Sequence, residues 1–523
     1  MTATLDTAPA AELDTPGWRD RLQPLVHGSG GWPLTLAITV IAGLLRFLRL
    51  DQPATNLSNG KVVAGDIFDE LYYACDSHSL MKYGVEHAST SNDAKFCSLN
   101  DTAPAFVVHP PVGKWLIGLG EQLMGFNTWG WRLAAAVFGT LTVLLVIRIG
   151  RRLTGSTLLG GLAGLFLALD GLHFVQSRIA TLDVFLCFFV VAAFGAFVVD
   201  RDKVRQRLAE SSDEQIDRGG SLGWRPWRLV AGVMLGLALG TKWSALYPMA
   251  VLLVLTLFWE AGARRAAGVR APWRTTLRKT TAPFVGALLV LPVAVYVGSW
   301  TGWFVTSTGY DRHWAKENHA SWPLVPDALR SLMHYHWEMW HFHQTLEKSH
   351  PYQSHPLSWP FLQRPVSYYY PSPIKEGVYG CQTSTGCSRE VLAIGTPVLW
   401  WAMVPLVLAL VYRWAAKRDW ASASVLLLML VSILAWIPSD QKDRTMFLFY
   451  ALPSVPFLCL GLAIVAGWMI GKPGTNGRLW GSGAVGVYTA LVVLNFWWLY
   501  PVLAAVTTSY ASWHHRMWFS SWI

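Results

Sequence analysis

The sequence predicts an all-α polytopic membrane protein with about eleven transmembrane helices. Three observations carry that expectation. Of 523 residues, 53% are hydrophobic and only 14% are charged, whereas a soluble domain carries about a quarter. Long apolar runs recur from Trp32 to the C-terminus, and chain that crosses lipid must satisfy its own backbone hydrogen bonds. The 29 tryptophans suit rings anchored at headgroup level.

Residues 1–30 are polar and rich in Ala, Asp and Pro, with no cationic start before a short apolar core. They read as a disordered cytoplasmic tail, not a cleavable signal. Residues 31–523 then form one membrane-embedded domain. Its apolar windows lie near 33–49, 131–149, 157–171, 181–199, 228–243, 245–259, 282–303, 393–412, 421–437, 445–468 and 480–504. The run Gly113–Gly125 is too short to span and reads as an interfacial or re-entrant helix.

Orientation follows from Lys and Arg. With the N-terminus cytoplasmic and the C-terminus extracytoplasmic, every inner loop is basic: Arg148 to Arg152, Arg201 to Arg228, Arg264 to Lys279, Arg413 to Arg418, and Lys472 with Arg478. That pattern also accounts for the net charge of +10 without a nucleic-acid partner. Two outer loops are long, 51–130 and 305–391, and too aromatic to be disordered. Cys75 and Cys97 share the first, and Cys381 and Cys387 the second. Two such pairs would suit an oxidising compartment; spacing alone does not fix connectivity, and unpaired small apolar residues are the plainer alternative. Cys187 and Cys459 fall inside spans as reduced core residues.

On this topology the unusual polar residues gather at the outer face. Asp69, Glu70, His109, Lys114 and Arg132 precede or begin the second span. Asp170, His173, Arg178 and Asp183 separate the third and fourth, Lys242 the fifth and sixth, and Asp440 to Arg444 the ninth and tenth. Charge in or beside a membrane marks function more often than not. A transporter would instead place its polar residues near the midplane, so the one-sided cluster favours an enzyme over a transporter or flippase. Lys114, Arg132, Arg178, Lys242 and Arg444 can hold a phosphate, and Asp69 or Glu70 can take a proton from an attacking hydroxyl. A lipid phosphate leaves as a stabilised anion and needs no general acid. One base and a cationic clamp therefore suffice for glycosyl transfer from a polyprenyl phosphate sugar.

Plainer readings stand beside these. Arg132 and Arg178 also read as snorkelling anchors, Asp170 and Asp183 as partners of Arg178 or as helix caps, and Asp69–Glu70 as a solvated pair. The run His334 to His343 invites a metal, but His-x-His spacing puts its imidazoles on different helix faces. Its aromatics read better as an interfacial helix, and no metal is expected.

Several stretches, in order, resemble the protein O-mannosyltransferases, the bacterial and actinobacterial branch most of all. GDIFDELYYA is similar to their Asp-Glu motif, and VHPPVGKWLIGLGEQLMG to the His-Pro-Pro-x-x-Lys stretch after it. GWRLAAAVFGTL, SRIATLDVFLCFFV, GLALGTKWSALYP, SHPYQSHPLSWPFLQRPVSYYY and DRTMFLFYALPSVPFLCLGL continue the likeness from about Asp66 to Gly461. The resemblance implies a C-type glycosyltransferase fold. It further implies inverting, metal-independent transfer of mannose from polyprenyl phosphate mannose to Ser or Thr hydroxyls of secreted polypeptides, with the Sec translocon as a partner. It makes Asp69 the base, Glu70 its partner that positions acceptor or sugar, and Arg132 a residue near the donor. The second outer loop has no room for the β-trefoil insertion of eukaryotic members. A polyprenyl-phosphate glycosyltransferase of the same fold that acts on a cell-wall glycan or lipid is the nearest rival.

Overall fold

The computed structural model describes residues 17–23, 30–53, 56–58, 61–63, 67–88, 103–318, 324–440, 444–475 and 477–523. Among them, eight helices are long and apolar enough to cross a membrane, and three shorter apolar helices accompany them. Together they match the eleven expected runs one for one. In chain order, the elements used below begin with α1 (Trp32–Phe47), α2 (Glu70–Tyr83), α3 (Val112–Met124), α4 (Thr128–Thr154) and α5 (Thr157–Ala168). They continue with α6 (Asp183–Glu210), α7 (Pro226–Leu239), α8 (Trp243–Ala266), α9 (Pro272–Ser299) and α10 (Asp327–Thr345). The last four are α11 (Pro397–Lys417), α12 (Trp420–Asp440), α13 (Leu448–Ile470) and α14 (Gly477–Leu503).

Burial ranks the helices. The apolar windows of α6 and α13 are 78% and 83% buried, against 17% for α9. A helix apolar on every face belongs inside a bundle or against lipid, so α6 and α13 form the centre and α9 faces outward. Helix ends follow their capping residues. The Asn127 side chain accepts from Gly130 N–H to start α4, Gly155 closes it at φ +72°, and Ser156 accepts from Leu159 N–H to start α5. A Cβ at Gly130 would lie 2.0 Å from the Gly125 carbonyl, so the tight turn from α3 into α4 requires glycine there.

The loops between spans are folded. The run Gly113–Gly125 forms helix α3, and α10 occupies the second long loop. Three short antiparallel ladders occur among the described residues, including Val366–Tyr369 with Val391–Ala393. Cys381 and Cys387 form a disulfide, while Cys187 and Cys459 are free and buried. Cys97, the expected partner of Cys75, lies outside the described residues.

The expectation that all of residues 1–30 are disordered needs correction. Trp18–Leu22 is a short helix, and Leu22 is fully buried against Val204, Leu208 and Ile216. Trp18 and Leu22, one helical turn apart, put an apolar edge on an otherwise polar tail.

Candidate functional site

The Asp69–Glu70 pair sits where the long loop after α1 enters α2. Phe68, just before it, adopts φ +38°, a backbone conformation costly for a bulky residue. Four rings hold it there: Tyr368, Phe447, Phe449 and His350, at centroid distances of 5.1, 5.4, 5.8 and 5.7 Å. This anchored kink turns the two acids toward different surroundings.

Glu70 is buried and fully engaged. Arg132 grips it in a fork, Nε to Oε1 at 2.7 Å and Nη2 to Oε2 at 2.6 Å, and Ala180 N–H donates to Oε1 at 2.9 Å. The remaining Arg132 nitrogen donates to the carbonyls of Leu50 and Pro53. Asp69 is half-buried, and its carboxylate makes no capping bond. Burial raises its pKa from the usual 3.8 to about 6, with Lys242 pulling it down and Asp183 pushing it up. Those two charges place Asp69 beside the next feature.

A cavity of about 550 Å³ opens between α7, α8, α9 and α10. Its charged lining comprises Asp183, Lys242 and Arg444, with His109, His336 and His343 beside them. Lys242 follows α7 in extended conformation, and its ammonium lies 3.0 and 2.9 Å from the two Asp183 oxygens. It also sits 5.4 Å from the Tyr450 ring centre. Arg444 Nε donates to the His343 carbonyl at 3.0 Å, while its Nη1 is buried with no hydrogen-bond partner. A buried guanidinium nitrogen left unsatisfied favours an incoming anion.

The histidines are positioned as neutral rings. His343 makes a 2.8 Å bond to the Val108 carbonyl, and burial, with Arg444 and Lys242 nearby, lowers its pKa to about 4. Burial and the same two cations also push His109 well below its usual value. His336 bonds the Leu332 carbonyl through Nδ1 at 2.7 Å, which leaves Nε2 to accept from Tyr296 Oη at 2.6 Å. Tyr296 in turn accepts from Trp243 Nε1 at 3.0 Å. The cavity therefore keeps two cations, Lys242 and Arg444, against Asp183 and neighbouring Asp69.

The structure thus groups His109, Asp183, Lys242 and Arg444, with Asp69 adjoining. It does not group the other three expected phosphate ligands with them. Lys114 is buried against Glu86, with Asp76 at 3.8 Å. Arg132 is consumed by Glu70. Arg178 donates to the carbonyls of Leu45, Arg46, Leu48 and Arg49, a collar on the last carbonyls of α1 and the turn after it. Each is already held by protein acceptors, so a phosphate would have to compete with those bonds. Asp170 caps a short helix through His173 N–H at 2.8 Å and accepts from Trp400 Nε1 at 2.7 Å. Asp440 pairs with His355; Lys442 and Asp443 lie outside the described residues.

Sequence reasoning missed Trp243, Tyr296, His336, His343 and Tyr450. One signal was available: His336 and His343 are seven residues apart, which places both on one helix face.

Comparison with known proteins adds the following. Residues 105–301 match the family described as dolichyl-phosphate-mannose-protein mannosyltransferase. Residues 328–522 match the C-terminal four-transmembrane region of protein-O-mannosyltransferase. The polyprenol-phosphate-mannose–protein mannosyltransferase of Mycolicibacterium smegmatis is 39% identical over 94% of this chain and 93% of its own. That of Mycobacterium tuberculosis is 40% identical over 94% and 92%, and that of Corynebacterium glutamicum 33% over 93% and 92%. The yeast Pmt1–Pmt2 protein O-mannosyltransferase complex, bound to its sugar donor, superposes with TM-score 0.70 at 16% identity. That match covers 95% of this chain and 93% of the yeast chain, and it shows a shared C-type glycosyltransferase fold.

Proposed function

This chain belongs to the protein O-mannosyltransferase family, and from that premise we propose that it transfers mannose from polyprenyl phosphate mannose to Ser or Thr hydroxyls of secreted polypeptides. The observation that carries the reading is the pairing of an unengaged acid, Asp69, with a cavity that holds two cations and an unsatisfied Arg444 nitrogen.

In this reading the donor phosphate lies between Lys242 and Arg444, and the prenyl chain leaves past the apolar wall of Leu239, Leu246 and Val293. The acceptor hydroxyl attacks the anomeric carbon from the face opposite the phosphate while Asp69 takes its proton. The carbon–oxygen bond to phosphate breaks, and polyprenyl phosphate departs with its new charge held by the two cations. Configuration inverts. Glu70 and Arg132 hold the backbone that presents Asp69.

The reaction belongs at the extracytoplasmic face of the plasma membrane, where the Sec translocon would deliver acceptors. Two features support that side. The Cys381–Cys387 disulfide suits an oxidising compartment. Asp183 and the basic knot of Arg225, Arg228 and Asp200 lie toward opposite ends of α6, as positive-inside orientation requires.

The test is transfer from labelled polyprenyl phosphate mannose to a Thr/Pro-rich peptide, in membranes that contain wild type, Asp69→Asn or Lys242→Met. Label should reach peptide in wild type and collapse in both variants. Label found only in lipid or glycan would reject the protein acceptor.

A further inference from the structure

A second cluster of ligating groups lies outside the cavity. His334 and Glu338 are one turn apart on α10, and Asp311 projects from the turn that precedes Trp314–Glu317. Their ligating atoms all lie within 4.8 Å of one another. His334 Nε2 stands 3.4 Å from Asp311 Oδ2 and 3.6 Å from Glu338 Oε1, longer than good hydrogen bonds. Metal–ligand bonds of about 2.0–2.2 Å at tetrahedral angles set neighbouring ligand atoms about 3.4 Å apart, so the imidazole stands at coordination spacing from each of the two carboxylates.

A further observation favours a cation there. Glu338 Oε2 is buried with no hydrogen-bond partner, an acceptor left unused beside a second carboxylate. Both supporting elements are fixed. Arg312 donates to the carbonyls of Trp303 and Phe304, Ala315 N–H donates to Ser331 Oγ, and Trp314 stacks on His334 at 3.9 Å. All three ligands are partly exposed, which leaves a path for an ion.

We propose that Asp311, His334 and Glu338 bind a divalent transition metal, zinc by ligand type, and that the ion staples the 309–313 turn to α10. One imidazole and two carboxylates suit zinc better than calcium or magnesium and leave a position for water. The imidazoles two residues apart fall on different faces, but His334 and Glu338 share one. Two residues further round the helix, His336 faces the cavity, so the ion stabilises the wall of that cavity and takes no part in the transfer step.

The experiment uses full-length protein in detergent, without a polyhistidine tag, stripped with chelator and titrated with zinc against a chromophoric competitor. Wild type should bind one tight equivalent and gain thermal stability. Asp311→Asn and Glu338→Gln should each weaken that equivalent by more than about tenfold, and His341→Gln should leave it unchanged. Variants that keep wild-type affinity, or a wild type with no tight equivalent, overturn the assignment. Cobalt(II) gives a reading independent of variants: a visible d–d spectrum of a four- or five-coordinate ion supports the site. Cobalt that stays six-coordinate and hydrated rejects it.

Discussion

Arg132 holds Glu70 through two parallel bonds of 2.7 and 2.6 Å, while Asp69, its neighbour in sequence, has no such grip. Two adjacent carboxylates therefore have separate duties. Removing one partner of a buried pair strands the other charge and costs about 3–5 kcal/mol. Glu70→Gln should lower the unfolding temperature and yield together. Arg132→Lys should do nearly the same, because an ammonium cannot reproduce the fork. Thermal unfolding in detergent checks both, and a Glu70→Gln protein as stable as wild type would contradict the assignment.

Asp69→Asn should behave in the opposite way. Loss of a general base costs about 10²–10⁴ in rate, so peptide transfer should nearly vanish. The folded protein binds the Asp69 proton more tightly than the unfolded chain does, so its ionised form lowers stability above pH about 6. The amide removes that penalty. Unfolding temperature at neutral pH should be unchanged or higher.

The same shift sets the pH profile. A base with its pKa raised to about 6 is protonated, and idle, below that value. Turnover should fall toward acid with its midpoint near 6, by about tenfold per unit beyond it. A profile flat down to pH 4 would exclude Asp69 as the base.

Lys242 and Asp183 should act as a coupled pair. Lys242→Met leaves Asp183 facing the donor phosphate without its counter-ion, so donor KM should rise steeply. Adding Asp183→Asn removes the repelling charge and should recover part of the loss. Contacting groups in such cycles couple by about 0.5–3 kcal/mol. Strict additivity in the donor KM values would mean that the two do not share the phosphate site.

How much of this was legible varied with the distance over which the information lies. Each apolar run declares its own helix, so all eleven could be placed from local windows. The partners of the charged residues could not. Glu70 and Arg132 are 62 residues apart, Asp183 and Lys242 are 59, and His343 and Arg444 are 101. Nothing local says which cation meets which acid or which meets a carbonyl. Tyr296 and Trp243 read as ordinary membrane aromatics until His336 closes their hydrogen-bonded chain.

Arg178 tests that lesson most sharply. As a phosphate ligand it would tolerate lysine in part, and the damage would appear in donor KM. As a collar on the carbonyls of Leu45, Arg46, Leu48 and Arg49 it needs a planar fork with several donors. One ammonium cannot reach all four. Arg178→Lys should therefore leave carbonyls unsatisfied at the end of α1, at about 1–3 kcal/mol for each buried group stranded. The loss should appear in unfolding temperature and yield, with donor KM near wild type in the protein that folds. A stable Arg178→Lys enzyme with a raised donor KM would return Arg178 to the phosphate.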